Sequence, residues 1–251
     1  MKEKNILTVT GLSKHFGGVR ALDGLDLHVR QGEVLGIVGP NGAGKTALIN
    51  TITGFYRATS GKIFLQESEI TLLSMHHIGR LGVGRTFQNI RLFKRLSVLE
   101  NVLVAHKQNA THLIRSFFRS GSNPEEQDRA MYWLDLFQLS SKANHPASSL
   151  SYGDARRLEI ARALADQPRL LLLDEPAAGM NEAETRQLIS DIELLKGKVD
   201  AILLVEHDMN LIRKVSDRLV AMDYGRKIAE GSPNEVLSNS EVLRAYLGSN
   251  I

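Results

Sequence analysis

The residue types best suited to chemistry in this chain stand in four short segments. From the amino end they read GPNGAGKT at residues 39–46, LSYGD at residues 150–154, LLLLDEP with Asp174 and Glu175, and EHD around His207. A glycine-rich loop lets backbone N–H groups hold phosphate oxygens, and adjacent carboxylates can bind a cation and activate a water molecule. In this order, the segments predict chemistry on a nucleotide phosphate.

The segment at residues 39–46 fits the phosphate-binding pattern G-x-x-x-x-G-K-[ST]. Lys45 is expected to reach the β- and γ-phosphates, and the Thr46 hydroxyl to bind Mg²⁺. A plain glycine turn is disfavoured because a predicted strand precedes the loop and a predicted helix follows it. The residues expected to hold the nucleotide here are Gly39, Pro40, Asn41, Gly42, Ala43, Gly44, Lys45, Thr46 and Ala47.

Asp174 and Glu175 end a run of four leucines, which predicts that they leave a buried strand. Alone they could be an ordinary exit from a strand into a loop. Beside a phosphate loop, Asp174 becomes the residue that orders Mg²⁺ through water, and Glu175 the base that polarises the attacking water. His207 follows the apolar run ILLVE, so we expect it at the same sheet edge, contacting the γ-phosphate rather than serving as a structural histidine.

The elements that must position these residues can be predicted from apolar spacing. Gly17-Gly18 predicts a turn between the first two strands, and a helix is expected from Lys45 to Thr53, with Gly54 ending it. Strands and helices alternate at both ends of the chain, which favours an α/β fold with a mainly parallel sheet covered on both faces. The predicted strands are residues 6–10, 24–29, 33–38, 170–173 and 201–205.

Between residues 96 and 144, apolar residues recur at helical spacing. The segment GSNP at residues 121–124 interrupts this pattern. We therefore expect one domain over residues 1–251, with core segments 1–95 and 145–251 and a helical insertion at 96–144. The spaced apolar residues are Val98, Val102, Ala105, Ile114, Phe117, Phe118, Met131, Leu134 and Phe137.

Composition excludes several other classes of protein. The chain has 31 basic and 28 acidic residues, and its net charge of +3 does not predict binding to nucleic acid. It has no cysteine, which excludes disulfides and thiolate metal sites. No apolar run approaches the ~20 residues that span a bilayer, and the charged amino terminus is unlike a signal peptide. We expect a soluble chain that a partner must hold if it works at a membrane.

In the order of these motifs, the chain resembles the nucleotide-binding subunits of ABC transporters over nearly its whole length. The resemblance implies the ABC cassette form of the P-loop NTPase fold, with an antiparallel β region beside the mainly parallel core sheet and a helical subdomain. It also implies ATP and Mg²⁺ as ligands, Glu175 as the catalytic glutamate and His207 as the switch histidine.

The same resemblance assigns roles to further residues. Phe16 would stack on adenine, although a single aromatic could instead belong to the core. Gln88 in RTFQNIRLF would contact Mg²⁺ and the attacking water and would face the membrane subunit. Ser151 and Gly153 would close on the γ-phosphate of the opposite subunit, and residues 178–181 would run across the dimer interface.

The resemblance also implies partners. Two cassettes would sandwich two ATP molecules, so we expect a homodimer or heterodimer with a second ABC ATPase. Membrane-spanning permease subunits and, indirectly, a solute-binding protein would complete the assembly, with no nucleic acid. The chain would then lie peripherally on the cytoplasmic face of the inner or plasma membrane.

Four stretches narrow the resemblance to one group of transporters. LGVGRTFQNIRLF from Leu81, LSYGD, DEPAAGMN and the terminal VLRAYLG resemble the ATPases of branched-chain amino acid importers, in particular the larger of their two paired ATPases. Related ATPases for urea, short amides or lipid export share several of these stretches, so the cargo stays open.

Two other functional classes and two departures from the family pattern stay in view. A non-transport ABC ATPase acting on DNA or ribosomes is disfavoured by the single P-loop. A regulatory module that binds nucleotide without hydrolysing it is disfavoured by the intact Glu175 and His207.

Ala47 stands where the family usually has a second hydroxyl residue, which predicts somewhat weaker ATP binding with hydrolysis retained. Ala155 stands where a glutamine is common, and its effect is not assigned.

Overall fold

The structure, a computed structural model, describes residues 4–105 and 124–247. Its strands are β1 Asn5–Phe16, β2 Val19–Arg30, β3 Val34–Val38, β4 Ser60–Leu65, β5 Ser68–Glu69, β6 Val83–Arg85, β7 Leu170–Asp174, β8 Ala201–Val205, β9 Arg218–Asp223 and β10 Arg226–Gly231. Its described helices are α1 Lys45–Ile52, α2 Met75–Arg80, α3 Val98–Val104, α4 Pro124–Leu136, α5 Tyr152–Leu164, α6 Glu182–Leu195, α7 Met209–Val215, α8 Pro233–Ser238 and α9 Ser240–Leu247.

A six-stranded sheet forms the centre of the molecule, in the order β10-β9-β3-β8-β7-β6. Five of its strands are parallel, and β10 joins β9 at the edge as an antiparallel strand. Every residue of β3, β7 and β8 is buried, because helices or the second sheet cover both faces. The prediction of a mainly parallel sheet is confirmed.

Alternate residues of these strands point into two separate apolar cores. Val34 of β3 and Leu171 of β7 belong to the core formed with α3, α4, α5 and α6. Leu35 and Leu172, one position further along, belong to the core formed with α1 and the second sheet. The continuous apolar runs of the sequence therefore serve two faces at once.

The second sheet is antiparallel, in the order β2-β1-β4-β5. Strands β1 and β2 are joined at the expected turn, where Gly17 has a φ of 57°. Both strands are longer than predicted. Their pairing register shifts between Val9 and Leu12 and again between Leu12 and Lys14. Such bulges break the alternation of apolar and polar residues on which the prediction rested.

Helices α3 and α4 lie in the segment predicted as a helical insertion, and both pack against α5. Ser97 and Glu100 form a capping box that begins α3. Val98, Leu134 and Phe137 are buried as the spacing predicted. The predicted apolar positions Ile114, Phe117 and Phe118, and the first three residues of the GSNP break, lie outside the described residues.

Across residues 4–105 and 124–247, no helix combines the length and the apolar character that crossing a membrane requires.

Candidate active site

The carboxyl ends of β3, β7 and β8 meet at one edge of the parallel sheet, where ligands bind in folds of this kind. Residues 39–44 follow β3, Glu175 follows β7, and His207 lies two residues after β8. Asp174 pairs with Val205 in the register of β7 and β8, so the carboxylates and the histidine leave the sheet side by side.

The loop at residues 39–44 has close neighbours that require glycine. Gly39 has a φ of 153°, and a Cβ there would lie 2.2 Å from the Met222 carbonyl oxygen. Gly44 has a φ of 102°, and its Cβ would lie 2.4 Å from the Ala21 carbonyl oxygen. Glycine at both positions therefore lets the loop lie close to β9 and β2 at the start of α1.

Helix α1 begins in a way that suits an anion. Its N-cap, Gly44, provides no side-chain hydrogen bond, and no acidic residue lies in the first turn. The first N–H groups of the helix and its positive end are therefore available to a phosphate group. The helix ends at Ile52, one residue earlier than predicted, and Gly54 takes the left-handed conformation at a φ of 73°.

Lys45 is buried beneath the loop. Its ammonium donates hydrogen bonds to the Gly39 carbonyl at 2.6 Å and the Pro40 carbonyl at 3.0 Å. Burial lowers the pKa of Lys45, while the charges of Glu175 and Asp174 raise it. The lysine therefore stands near the acidic residues, with its charge directed to the loop itself.

Asp174 is buried and engaged with a residue that sequence reasoning missed. Arg85 Nη2 donates to Asp174 Oδ2 at 3.0 Å. Arg85 Nη1 donates to Asn50 Oδ1 at 2.7 Å and to Thr53 Oγ1 at 3.1 Å, which ties the end of α1 to β7. Burial raises the pKa of Asp174, and the Arg85 guanidinium opposes that shift. The only sequence signal for Arg85 was its place at the end of the short run LGVGR.

Glu175 lies between two of the predicted site residues. Gln88 Nε2 donates to Glu175 Oε2 at 2.6 Å, and His207 Nε2 lies 2.5 Å from Glu175 Oε1. Glu175 itself has a φ of 48°, which is unusual for a residue with a side chain. Its N–H donates to the Val205 carbonyl at 2.9 Å, which holds this strained turn in place.

Glu206 organises the backbone around this group, and its place in EHD was the only sequence signal for it. It is buried, and its carboxylate accepts hydrogen bonds from the N–H groups of Ala177 at 2.7 Å and His207 at 2.8 Å. Burial raises the pKa of Glu206, and these backbone donors oppose the shift. The Glu206 carboxylate thereby fixes the segments that carry Glu175 and His207 relative to each other.

The LSYGD segment forms the start of α5 and contacts residues 178–181 of the same chain. Ser151 Oγ accepts from the Asp154 N–H at 3.2 Å and caps the helix. The Tyr152 hydroxyl donates to the Ala178 carbonyl at 2.6 Å. The Gly153 N–H donates to Glu184 Oε1 at 3.2 Å, while Glu184 Oε2 accepts the Asn181 N–H at 3.0 Å.

Arg156 connects α5 to the segment that carries Gln88. Its side chain is completely buried, and its guanidinium donates to the Phe87 carbonyl at 2.7 Å and the Gln88 carbonyl at 2.8 Å. Glu159 pairs with it at 2.7 Å. Sequence reasoning missed both residues, because charged residues on a helix ordinarily face solvent.

The remaining predicted residues lie at the surface of the site. Phe16 is 43% exposed, so the alternative of a core residue is wrong. Its ring packs edge-on against Tyr56 with centroids 5.0 Å apart, and Lys14 Nζ lies 4.6 Å from its centroid. Thr46 is exposed, and Ala47 is partly buried against the core beside α1.

The oxygen donors near the loop fit a hard cation that is shared with a phosphate. Within residues 4–105 and 124–247, no group of three or more His, Cys, Asp or Glu side chains is placed to hold a metal ion alone. Thr46, Gln88 and Asp174 offer hydroxyl, amide and carboxylate oxygens, which are donors that Mg²⁺ accepts, and nucleotide phosphates usually complete its coordination.

Comparisons with known sequences find two matching families. A family described as "ABC transporter" matches residues 22–178, and one described as "Branched-chain amino acid ATP-binding cassette transporter" matches residues 226–250. A curated relative in Salmonella typhimurium, the high-affinity branched-chain amino acid transport ATP-binding protein LivG, is 45% identical over 249 residues. The matched region covers 97% of this chain and 98% of that protein.

Solved structures share the architecture. The crystal structure of the ADP conformation of an ATP-binding cassette of an ABC transporter has a TM-score of 0.87 and 32% identity, over 98% of this chain and 99% of that chain. A dimeric post-hydrolysis state of an ATP-binding cassette, bound to ADP and Pi, has a TM-score of 0.74 and 26% identity, over 90% of this chain and 98% of that chain.

Proposed function

The chain belongs to the family of ABC transporter ATP-binding subunits and is a transport-coupled ATPase, and we propose that its transporter imports branched-chain amino acids. The expected family and cassette fold are confirmed. The similarity to LivG and the family match at residues 226–250 support the proposed cargo.

The observation that carries the proposed chemistry is the position of Glu175. In the proposed reaction a water molecule attacks the γ-phosphorus, the bond from that phosphorus to the bridging oxygen breaks, and Glu175 takes the proton of the water. Lys45 and the first N–H groups of α1 would hold the phosphate oxygens and stabilise their charge. Mg²⁺, held by Thr46, Asp174 and Gln88, would neutralise phosphate charge when bound.

Both carboxylate oxygens of Glu175 are occupied in this structure, by Gln88 and His207. A base that polarises water needs one of them. We therefore infer that nucleotide binding draws His207 toward the γ-phosphate and opens Glu175 to water. The His207 side chain is 41% exposed, which leaves it room to turn.

A dimer is the proposed working form. Ser151 is exposed at the start of the 13-residue helix α5, whose positive end can face a phosphate held by a second cassette. The second cassette would be an identical copy or a paralogue. The helical segment 96–144 and the Gln88 segment would pass the opening and closing of the dimer to permease subunits at the cytoplasmic face of the membrane. A solute-binding protein would deliver the cargo to those permeases.

Two measurements test this function. Phosphate release from the purified full-length chain separates an ATPase from a module that only binds nucleotide. Isolation of the chain from membranes, followed by uptake assays on the permeases that accompany it, tests the cargo. Dependence of branched-chain amino acid uptake on this chain is the expected result, whereas permeases that carry urea, amides or lipid would overturn the proposed cargo.

A further inference from the structure

The carboxyl-terminal helix α9 carries most of the VLRAYLG stretch, to which the proposed hydrolysis assigns no role. Val242 of this helix is 2% exposed and belongs to the core beneath the sheet. Tyr246 follows four positions later, so both side chains lie on one face of the helix. The buried valine therefore anchors the helix where Tyr246 reaches the phosphate loop.

Tyr246 contacts the first residue of that loop. Its hydroxyl accepts a hydrogen bond from the Gly39 N–H at 2.7 Å. Gly39 is buried, and its carbonyl in turn accepts from Lys45 Nζ at 2.6 Å. A single chain of hydrogen bonds thus connects the carboxyl-terminal helix to the lysine of the nucleotide site. Burial also raises the pKa of the Tyr246 phenol, so the hydroxyl keeps its proton at neutral pH.

The hydroxyl connects the loop to α9 next to an open cleft. A cleft of about 500 Å³ lies beside it, with Asn41 and Gly42 on the loop side and Glu241 and Arg244 on the helix side. Without the hydroxyl, the buried Gly39 N–H would lose the acceptor that Tyr246 provides, which is unfavourable. The loop would then populate other conformations.

We propose that Tyr246 is a positioning residue that holds the phosphate loop in its nucleotide-binding conformation and couples the carboxyl-terminal helix to nucleotide occupancy. The inference rests on the proposed nucleotide site at Lys45. If only a fraction of the molecules has a loop that can bind nucleotide, the apparent dissociation constant equals the intrinsic constant divided by that fraction, so it rises as the fraction falls. By reciprocity, a bound nucleotide must stabilise the Tyr246 contact.

The variant Tyr246→Phe removes the hydroxyl and keeps the ring. We expect the Kd for MgADP, measured by calorimetry, to rise about 3- to 10-fold with unchanged stoichiometry. The KM for ATP should rise in parallel, while kcat changes less than about twofold, because a bound nucleotide selects the competent loop. A merely unfolded fraction would lower the stoichiometry instead of the affinity.

Tyr224→Phe is the matched control. Tyr224 lines the same cleft but is 83% exposed, so losing its hydroxyl should leave the Kd for MgADP unchanged. In the wild-type chain, MgADP should also slow hydrogen exchange of the α9 amides, and Tyr246→Phe should reduce that protection.

An unchanged Kd in Tyr246→Phe, or no effect of MgADP on exchange in wild-type α9, would overturn the coupling and leave the proposed function intact. Failure of the wild-type chain to bind MgADP would overturn both.

Discussion

At the residue scale, Glu175 has both carboxylate oxygens engaged, one by Gln88 and one by His207. Its backbone is held in a strained left-handed turn at a φ of 48°. Strain of this kind persists only where neighbours enforce it, and here the Val205 carbonyl and the buried Glu206 carboxylate do so. The geometry favours a carboxylate that is already oriented before nucleotide binds and that loses its contact with His207 when nucleotide binds.

His207→Ala should therefore lower the rate of steady-state phosphate release by about 10²-fold at saturating ATP. The imidazole would no longer contact the γ-phosphate or orient Glu175. Exposed His145, just after the helical segment 96–144, offers the control His145→Ala, which should keep wild-type turnover. Wild-type turnover in His207→Ala would exclude the proposed contact.

The Arg85–Asp174 pair gives a prediction with a pH dependence. In Arg85→Gln, the buried Asp174 loses its cation, so its pKa rises further above the unfolded value. A carboxyl group with a raised pKa binds more protons in the folded state than in the unfolded state, so folded stability falls as pH rises through this range. We expect the variant to lose about 3 kcal/mol at pH 7 and less at pH 5.

Urea unfolding at both pH values measures this loss. Lys62→Gln removes one partner of an exposed ion pair with Glu69, and it should change stability little at either pH. An equal loss for Arg85→Gln at pH 5 and pH 7 would show that Asp174 is not the group responsible.

At the scale of elements, the start of α5 and the start of α6 share one carboxylate. Glu184 accepts from the Gly153 N–H and also completes the capping box with Asn181. If α5 points its positive end at a phosphate held by a second cassette, Glu184 places a negative charge beside that phosphate. The carboxylate would then weaken the closed dimer that forms when nucleotide is bound.

Glu184→Gln should lower the protein concentration needed for ATP-dependent dimerisation by about 3- to 10-fold, because a like charge is removed. Glutamine also serves at this position of a capping box, so α6 should keep its start. Sedimentation in a Glu175→Gln background measures the association. The control Glu182→Gln removes a charge in the same helical turn from a side chain that is 95% exposed. Weaker dimerisation in Glu184→Gln would contradict this prediction and would show instead that Glu184 holds the LSYGD segment in the conformation needed for dimerisation.

Elements were predicted from the sequence best where the physics is local. The strands β3, β7 and β8 and the helix after the glycine loop follow from apolar runs, turns and glycine. The bulged parts of β1 and β2 were missed because their alternation is broken. The bond from Tyr246 to Gly39 joins distant parts of the chain, and no local pattern could reveal it.

At the scale of the whole molecule, one mainly parallel sheet separates two cores and brings three chemically active segments to one edge. The motifs allowed Lys45, Asp174, Glu175 and His207 to be predicted as neighbours. Arg85, Arg156 and Glu206, which hold them in place, could not be predicted, since a charged residue moves away from solvent only through partners from distant segments. The supporting residues therefore had to come from the structure.

The measurement that tests the central claim most directly is steady-state phosphate release by Glu175→Gln in the full-length chain. We expect turnover to fall at least about 10²-fold while MgATP binding is retained, and the variant to accumulate as an ATP-bound dimer. The control Glu67→Gln, which changes an exposed residue in the turn between β4 and β5, should hydrolyse ATP like the wild type. Normal turnover by Glu175→Gln would contradict the assignment of Glu175 as the base.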